Sequence, residues 1–375
     1  MTGWRSVRLS GLLQEVDDRR HADLEVLSVY RDLGVVPKAS RDDNFNKTPE
    51  DLTTYKRVRT GDLVVNKMKA WSGSLAISGY DGIVSGDYMV CAVTGPVDRR
   101  FLHHLLRSPS VFGLIAARST GIRPSQWRLY WDDLRDIRVD IPEPEAQRAI
   151  ADYLDAETAR IDAVVDRKRR LAEELSARRR AVAAEAVLPP NLPNEWMLGR
   201  LKHIAVLKSG DSISAEEIGE EGEYPVFGGN GIRGYAGRYN YEGTYPLIGR
   251  QGALCGNVNY ATGRFWASEH AVVVRPIGDI RVHWLGELLR ALNLNQYSMA
   301  AAQPGLAVDL ISDLSVPIPP VAQQESIASL LQRQSGSHEK IARVLQTQGR
   351  LIRERRQALI TAAVTGQIEI PGVAA

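Results

Sequence analysis

The sequence is poor in cysteine, has no long apolar run and carries little net charge, and each shortage excludes a class of protein. Two cysteines, Cys91 and Cys255, are too few for a disulfide framework and indicate a reduced, cytoplasmic protein. No apolar run approaches the ~18 residues of a membrane-spanning helix, and the first twenty residues lack the apolar core of a signal peptide. The formal net charge is only +2, so a nucleic-acid footprint would have to be local.

Motifs that carry catalytic chemistry are also missing. The dipeptide Gly-Lys of a phosphate-binding loop never occurs, and there is no HExxH, CxxC or nucleophile elbow. The adenine-methyltransferase pattern of Asn or Asp, two prolines and an aromatic residue is absent too. Residues 229–234 fit GxGxxG, but the next residues, YAGRYNYEGTYP, indicate loop or strand, whereas a dinucleotide site needs a helix. The seven histidines show no metal-ligand spacing. We predict a chain with no catalytic, metal or cofactor site of its own.

What the sequence does contain is an internal repeat. IPEPEAQRAIADYL at residues 141–154 returns as IPPVAQQESIASLL at residues 318–331, a shift of 177 from 141 to 318. The first-copy residues that recur are Ile141, Pro142, Gln147, Ile150, Ala151 and Leu154. Their equivalents are Ile318, Pro319, Gln324, Ile327, Ala328 and Leu331. A repeat of this length indicates two copies of one structural unit.

Both copies continue into a long polar segment with apolar residues at heptad spacing, which predicts two long helices that pack against each other. The predicted seam of the first helix is Leu154, Ile161, Lys168, Leu175 and Val182, with Val164 and Leu171 at intervening positions. The predicted seam of the second helix is Leu331, His338, Leu345, Ile352 and Leu359, with Ile341 at an intervening position. The alternative, a core helix within one domain, is disfavoured because residues 146–187 would form a helix of roughly 60 Å at ~1.5 Å per residue.

The segments that precede the two helices match as well, since WRSVRL near the N-terminus pairs with WMLGRL at residues 196–201. Short apolar runs broken by Gly and Asn predict strands, with at least one helix late in each segment. We therefore predict an α+β fold with two mixed globules and an antiparallel coiled coil, related by internal pseudo-two-fold symmetry. The predicted domains are a first globule at 1–143, a first long helix at 144–190, a second globule at 191–319 and a second long helix at 320–370.

The glycine-rich loops of both globules carry side chains that suit DNA. Arg can read guanine and Asn or Gln can read adenine in the major groove, while Lys can hold phosphates. The alternative is that these are ordinary solvated loops and that His270 is structural. The candidates are Lys67, Lys69, Trp71, Arg123, Ser125 and Gln126 in the first globule, and Asn230, Arg233, Tyr235, Arg250, Gln251 and His270 in the second.

In this pattern the chain resembles the specificity subunit of type I restriction-modification enzymes. The resemblance rests on two variable globules, each followed by a near-repeated long helix that opens on Ile-Pro and a Gln. The helix endings RRRAVAAEAV and RRQALITAAVTGQI are similar to the family's repeat endings, and YPVFGGNGIRGYAG, GRQGALCGNV and FWASEHAVVV resemble one type of its target recognition domain. The polar seam residues Lys168 and His338 depart from the family pattern.

The resemblance implies a chain that does no chemistry, in the cytoplasm of a bacterium or archaeon. Each globule would read one half of a bipartite double-stranded DNA site, and the helices would set the spacer. Two methyltransferase (modification) subunits would dock on the helices and use S-adenosylmethionine, while motor-nuclease (restriction) subunits would use ATP and Mg. The rival interpretations are a two-headed coiled-coil scaffold that binds protein or carbohydrate, and an enzyme with an unrecognised site. Steep weakening of binding by salt would favour DNA over the scaffold.

Overall fold

The structure, a computed structural model, describes residues 3–41, 47–121, 127–252, 254–298, 305–371 and 373. The chain divides into two units. Unit 1 combines Met1–Lys168 with Thr347–Ala375, and unit 2 is Arg169–Gln346. Each unit contains one mixed globule together with part of both long helices, so the predicted α+β class is confirmed.

The first globule is built around an antiparallel sheet of four strands in the order β2-β9-β6-β7. Valine recurs in these strands, as in LVVN of β6 and YMVCAV of β9, because β-branched side chains pack well on a pleated surface. Its strands are β1 (Arg5–Arg8), β2 (Leu13–Val16), β3 (Leu27–Tyr30), β4 (Gly34–Pro37), β5 (Lys56–Val58), β6 (Leu63–Asn66), β7 (Leu75–Ile77), β8 (Gly82–Val84), β9 (Tyr88–Val93) and β10 (Arg138–Ile141). Its helices are α1 (Arg99–Leu106), α2 (Pro109–Arg118) and α3 (Trp131–Arg135).

The second globule contains a six-stranded sheet in the order β12-β17-β15-β16-β13-β14. Its pairs are antiparallel except β13 with β16, which run parallel. The strands are β11 (Met197–Arg200), β12 (Ala205–Ser209), β13 (Tyr224–Gly228), β14 (Gly231–Ala236), β15 (Tyr241–Gly249), β16 (Val258–Ala267), β17 (Ala271–Pro276) and β18 (Ser315–Ile318). The helices are α5 (Leu201–Ile204), α6 (Val282–Ala291) and α7 (Val308–Ser312).

Both long helices are 44 residues long, and each is preceded by a strand of its own two-stranded sheet. Helix α4 spans Pro144–Val187 and helix α8 spans Val321–Val364. The strand before each helix pairs with the first strand of its globule, β10 with β1 and β18 with β11. Proline at the first position of α4 has no N–H to leave unsatisfied, which suits a helix start. Helix α8 is followed by Gly366, whose φ of 69° is the left-handed conformation usual after a helix end.

The two helices are antiparallel within each unit. In unit 1 the Arg356 guanidinium lies 3.0 Å from the Asp162 carboxylate, and the Lys168 amine donates to Gln348 Oε1 at 2.6 Å. From the first contact to the second, the residue number rises on α4 and falls on α8, so the two helices run antiparallel, as predicted. In unit 2 a ring nitrogen of His338 lies 3.4 Å from the Ser176 hydroxyl. Lys168 and His338, the polar residues of the predicted seam, therefore have polar partners on the other helix.

The ends of the helices are buried in the globule cores, and their middle is not. Leu154 is fully buried in unit 1 with Ile360 and Val364 of α8, and Leu331 is buried in unit 2 with Val187 of α4. The other predicted seam residues Ile161, Lys168, Leu175, His338, Leu345, Ile352 and Leu359 are half-buried. The middle of the helical pair is therefore held by shallow contacts rather than by a sealed apolar seam.

The seam prediction is wrong at Val182, which is 38% exposed while its neighbour Ala183 is buried. It is also wrong at the intervening positions Val164, Leu171 and Ile341, which are all exposed. The reason is the helical repeat: a straight helix turns once in 3.6 residues, so it drifts away from a strict heptad. After Leu175 the covered positions of α4 are spaced by four, which moves the seam onto Ala183.

The end of the described chain returns to the first globule. Ile370 is buried in the core of unit 1, and Ile368 and Val373 pack against it together with Trp4. The last described residues therefore pack against the core of the first globule. None of the described helices combines the length and the apolar character needed to cross a membrane.

Candidate nucleic-acid interface

Three loops of the second globule meet at one edge of its large sheet. They are the β13–β14 turn, the segment between β15 and β16, and the turn between β16 and β17. A Cβ added to Gly249 would lie 2.1 Å from the Gly229 carbonyl oxygen, so only glycine allows the first two loops to approach this closely. Gly252 has a φ of 87°. The glycines in this part of the sequence therefore bring the loops together.

Arg250, Gln251 and His270, three predicted DNA-reading residues, lie side by side at this edge. The Arg250 N–H donates to the His270 carbonyl oxygen at 2.9 Å, which ties the two loops. His270 Nδ1 lies 3.1 Å from Gln251 Oε1, and because an amide oxygen can only accept, the ring N–H is the donor. The Arg250 guanidinium donates to the Ser209 hydroxyl at 3.3 Å. The Gln251 side chain is thus oriented by its neighbour at an exposed position.

Asn230, at the tip of the β13–β14 turn, is held by a residue that sequence reasoning missed. The Asn257 side-chain amide donates to Asn230 Oδ1 at 2.7 Å, and both residues are exposed. The bond uses one acceptor of Asn230 and one donor of Asn257, so donors of the first and an acceptor of the second remain for a ligand. Asn257 belongs to the GRQGALCGNV stretch, and its place beside other polar loop residues is the signal that could have identified it.

The other two candidates of the second globule lie within β14, which leads away from this edge. Arg233 is exposed and packs over Gly228, where an added Cβ would lie 2.5 Å from its Cδ. Tyr235 is half-buried, and its backbone exchanges two hydrogen bonds of 2.9 Å with Gly219. Arg233 therefore lies at the base of the loop cluster, whereas Tyr235 is farther along the strand.

A second group of arginines and aromatic rings lies on the second globule, and its residues are not among the predicted candidates. The Arg238 guanidinium lies 4.4 Å from the Trp266 ring, and that of Arg264 lies 5.0 Å from the Tyr239 ring. Arg238 also pairs with a glutamate, Glu217, at 2.5 Å. Their signal in the sequence is the Gly-Arg-aromatic triplet, which occurs as GRY and GRF. Because Arg238 has a carboxylate partner, it is a weaker candidate for phosphate binding than Arg250.

In the first globule the candidates Lys67, Lys69 and Trp71 lie on the loop that follows β6. The Trp71 ring packs edge to face against Trp127 with centroids 5.8 Å apart, and the Leu129 N–H donates to the Lys67 carbonyl at 3.0 Å. This loop therefore lies beside the segment that begins at Trp127. The candidates Arg123, Ser125 and Gln126 lie outside the described residues.

Charges near this loop are mixed, which agrees with the low net charge of the chain. Burial lowers the pKa of Lys56, which is 4% exposed, and the positive charge of Lys67 lowers it further. A hydrogen bond from Arg19 at 2.6 Å lowers the pKa of Asp17. Within the described ranges, no group of three or more His, Cys, Asp or Glu side chains could hold a metal ion. The first loop therefore offers lysine ammonium groups and aromatic surface.

Comparison with known proteins finds relatives by sequence and neighbours by fold. Residues 193–346 match the family model described as the type I restriction modification DNA specificity domain. A 137-residue stretch is 47% identical to the type I restriction enzyme EcoprrI specificity subunit of Escherichia coli and covers 36% of this chain and 34% of that protein. A putative type I restriction enzyme specificity subunit of Haemophilus influenzae is 27% identical over 113 residues, 29% of each chain. The chain thus spans about a third of the length of these curated relatives.

Two solved structures share the fold over nearly the whole chain. A chain from work on complex assembly and conformational transition of the type I R-M system superposes with a TM-score of 0.77 at 18% identity, over 98% of this chain and 99% of that one. The HsdS subunit from Thermoanaerobacter tengcongensis gives a TM-score of 0.52 at 19% identity, over 98% of each chain. At such low identity these likenesses concern the fold alone.

Proposed function

We propose a function from the premise that the chain belongs to the specificity subunits of type I restriction-modification systems. The chain binds double-stranded DNA and reads a site in two parts. Each globule reads one half of the site, and the two long helices set the spacer between the halves. The proposal includes the division of the chain into globule, helix, globule and helix, with boundaries after residues 143, 190 and 319. It also includes the contacts of the loops with DNA.

The observation that carries the proposal is the cluster of Arg250, Gln251 and His270 inside the segment that matches the DNA specificity domain. An Arg guanidinium can donate to both O6 and N7 of guanine, and a Gln amide can pair with N6 and N7 of adenine. Lys67 and Lys69 suit phosphate oxygens, which position a protein on DNA without reading its sequence. Trp71 adds a flat apolar surface next to these lysines.

The partners of the chain follow from the same proposal. Two methyltransferase subunits dock on the helical region and methylate adenine, and motor-nuclease subunits join them. S-adenosylmethionine, ATP and Mg belong to those subunits, and this chain contributes recognition without catalysis. The missing phosphate-binding and methyltransferase motifs support a non-catalytic role. The complex acts on DNA in the cytoplasm of a bacterial or archaeal cell.

The decisive experiment is to sequence methylated adenines in cells that express the modification subunits with and without this chain. The expected result is one bipartite motif with a fixed spacer, present only when this chain is expressed. No motif, or a motif that is independent of the chain, would refute the proposal. Binding of the complex to its site should also weaken by orders of magnitude between about 50 and 200 mM salt, because phosphate contacts release counterions. Binding unaffected by salt would favour a scaffold for protein or carbohydrate.

A further inference from the structure

The repeated glutamine is the most completely buried polar residue at the start of each long helix. Gln147 is 0% exposed and Gln324 is 1% exposed. Each is the fourth residue of its helix, α4 or α8. A buried amide must satisfy its hydrogen bonds within the protein, since an unmet buried polar group is costly. The contacts of these two side chains therefore identify what the repeat preserves.

In unit 1 the Gln147 side chain joins two backbone groups from different elements. Its Oε1 accepts from the Asp98 N–H at 2.8 Å, and its Nε2 donates to the Pro142 carbonyl oxygen at 2.8 Å. Asp98 caps α1, and its carboxylate accepts from the Arg100 and Phe101 backbone N–H groups. The amide thus connects the capped end of a globule helix to the residue that enters the long helix.

In unit 2 the Gln324 side chain makes the same two bonds with the equivalent groups. Its Oε1 accepts from the Arg281 N–H at 3.0 Å, and its Nε2 donates to the Pro319 carbonyl oxygen at 2.9 Å. Arg281 precedes α6, as Asp98 precedes α1. The flanking contacts differ, because Arg281 pairs with Glu325 whereas His104 of α1 pairs with Asp155. The glutamine bridge is common to both units although the neighbouring side-chain contacts are not.

Only a carboxamide of this length can make both bonds. Glutamate would keep the acceptor and place a second oxygen against a carbonyl, and methionine would leave the N–H and the carbonyl without partners. Asparagine is one methylene shorter, so it cannot span the same distance. Because α1 and α6 are anchored in their cores through Phe101 and Trp284, the amide fixes the start of each long helix to a rigid part of its globule.

We infer that Gln147 and Gln324 are positioning residues that fix the direction in which each long helix leaves its DNA-reading globule. The inference rests on the proposed function, in which the helices set the spacer. Loss of one bridge lets that helix start vary in direction without altering the loops that read bases. The specificity for spacer length then falls, while the sequence read in each half-site is unchanged.

The test uses the complex with its modification subunits and a library of sites with constant half-sites and spacers that differ by single base pairs. In Gln147→Met and Gln324→Met, discrimination between the preferred spacer and its neighbours falls about tenfold or more, because both buried hydrogen bonds of the amide are lost. Gln147→Glu, which keeps the acceptor for Asp98, falls between the wild type and Gln147→Met. Gln332→Met, at an exposed position of α8, is the matched control and keeps wild-type discrimination.

Each result separates this inference from the proposed function. A wild-type complex without a bipartite motif would overturn the proposed function itself. A wild-type complex with a sharp spacer preference that all three bridge variants retain would overturn the positioning role alone. Equal loss of methylation at every spacer in all three variants would also overturn it, because the glutamines would then stabilise the fold without setting direction. A bridge variant that reads different bases in a half-site would also overturn the positioning role.

Discussion

Replacement of Leu331 by alanine should destabilise unit 2, whereas replacement of its neighbour Leu330 should not. Leu331 is 3% exposed and shares a core with Ala183 and Val187 of the other long helix, whereas Leu330 is 44% exposed. Removal of a buried leucine side chain costs about 2–5 kcal/mol, from lost burial and from the cavity left behind. An exposed substitution on the same helix usually stays within about 0.5 kcal/mol. The two variants have the same chemistry and differ only in the face of the helix.

The measurement is urea unfolding of the full chain, followed by hydrogen exchange so that the two units are observed separately. With a loss of ~3 kcal/mol and a urea dependence of ~2 kcal/mol per molar, the midpoint of unit 2 should fall by about 1.5 M in Leu331→Ala. Leu154→Ala, the equivalent change in the first repeat, should lower the midpoint of unit 1 instead, because Leu154 is buried in that core. Leu330→Ala should leave both midpoints within error.

The outcome that would refute this reasoning is an equal shift in Leu330→Ala and Leu331→Ala. Adjacent residues point about 100° apart around a helix of 3.6 residues per turn. Equal shifts would therefore mean that α8 is rotated about its axis relative to its core, or that neither side chain is held there. A shift of the unit 1 midpoint in Leu331→Ala would contradict the assignment of Leu331 to the core of unit 2.

Other consequences can be tested on the same protein. Changing both Arg250 and Gln251 to alanine should cost about 1–3 kcal/mol of discrimination between bases for each paired base contact that is lost. Only one half of the methylated motif should change. A change in both halves would contradict the proposed site. Insertion of seven residues after Arg167 and seven after Val344 adds ~10 Å to each helix and should lengthen the preferred spacer by about three base pairs at ~3.4 Å each. Some activity should be lost because the second half-site is rotated on the DNA. Modification at the original spacing alone would refute the role of the helices in setting the spacer. Burial lowers the pKa of His103 from 6.5 to about 3. The unfolded chain therefore binds more protons below pH 6.5, and the stability of unit 1 should decline as pH falls from 6.5 towards 3. A His103→Leu variant should show a weaker decline in urea midpoints, and an unchanged slope would remove His103 as its cause.

The repeat made most of the fold predictable from the sequence. Two copies of Ile-Pro and Gln at a fixed shift predicted two equivalent long helices, and both begin within three residues of the shared Ile-Pro. What the repeat could not supply was the sheet order in the globules, because strand pairing depends on contacts between residues far apart in sequence. The parallel pairing of β13 with β16, for example, has no local signal.

The helix seam shows a limit of a different kind. Leu171 and Val164 are apolar and lie near heptad positions, yet both are exposed, while Thr158 is buried with its hydroxyl bonded to the Leu154 carbonyl at 2.7 Å. Where apolar and polar residues are mixed all around a helix, residue type does not determine which face is covered. The small residues Ala172 and Ala183 take covered positions instead.

The candidate site was predicted as a set of loops rather than as a set of contacts. Short glycine-rich stretches with Arg, Asn and Gln indicated the segments around residues 230 and 250, and these segments lie together in the structure. The orientation of Gln251 by His270 could not be predicted, because it depends on a turn 19 residues away. Their roles in reading DNA remain predictions.

The division of unit 1 into two separated segments has a consequence for synthesis of the protein. Unit 2 is one continuous stretch, Arg169–Gln346, whereas unit 1 needs residues from both before and after it. On the ribosome the second globule can therefore complete its core first, while the first globule waits for Ile360, Val364 and Ile370 to emerge. During that interval the earliest residues to be made expose the apolar surface that those side chains later cover, so the N-terminal globule is the part that needs protection from aggregation. A premature stop near residue 350 would consequently damage the domain encoded farthest from it.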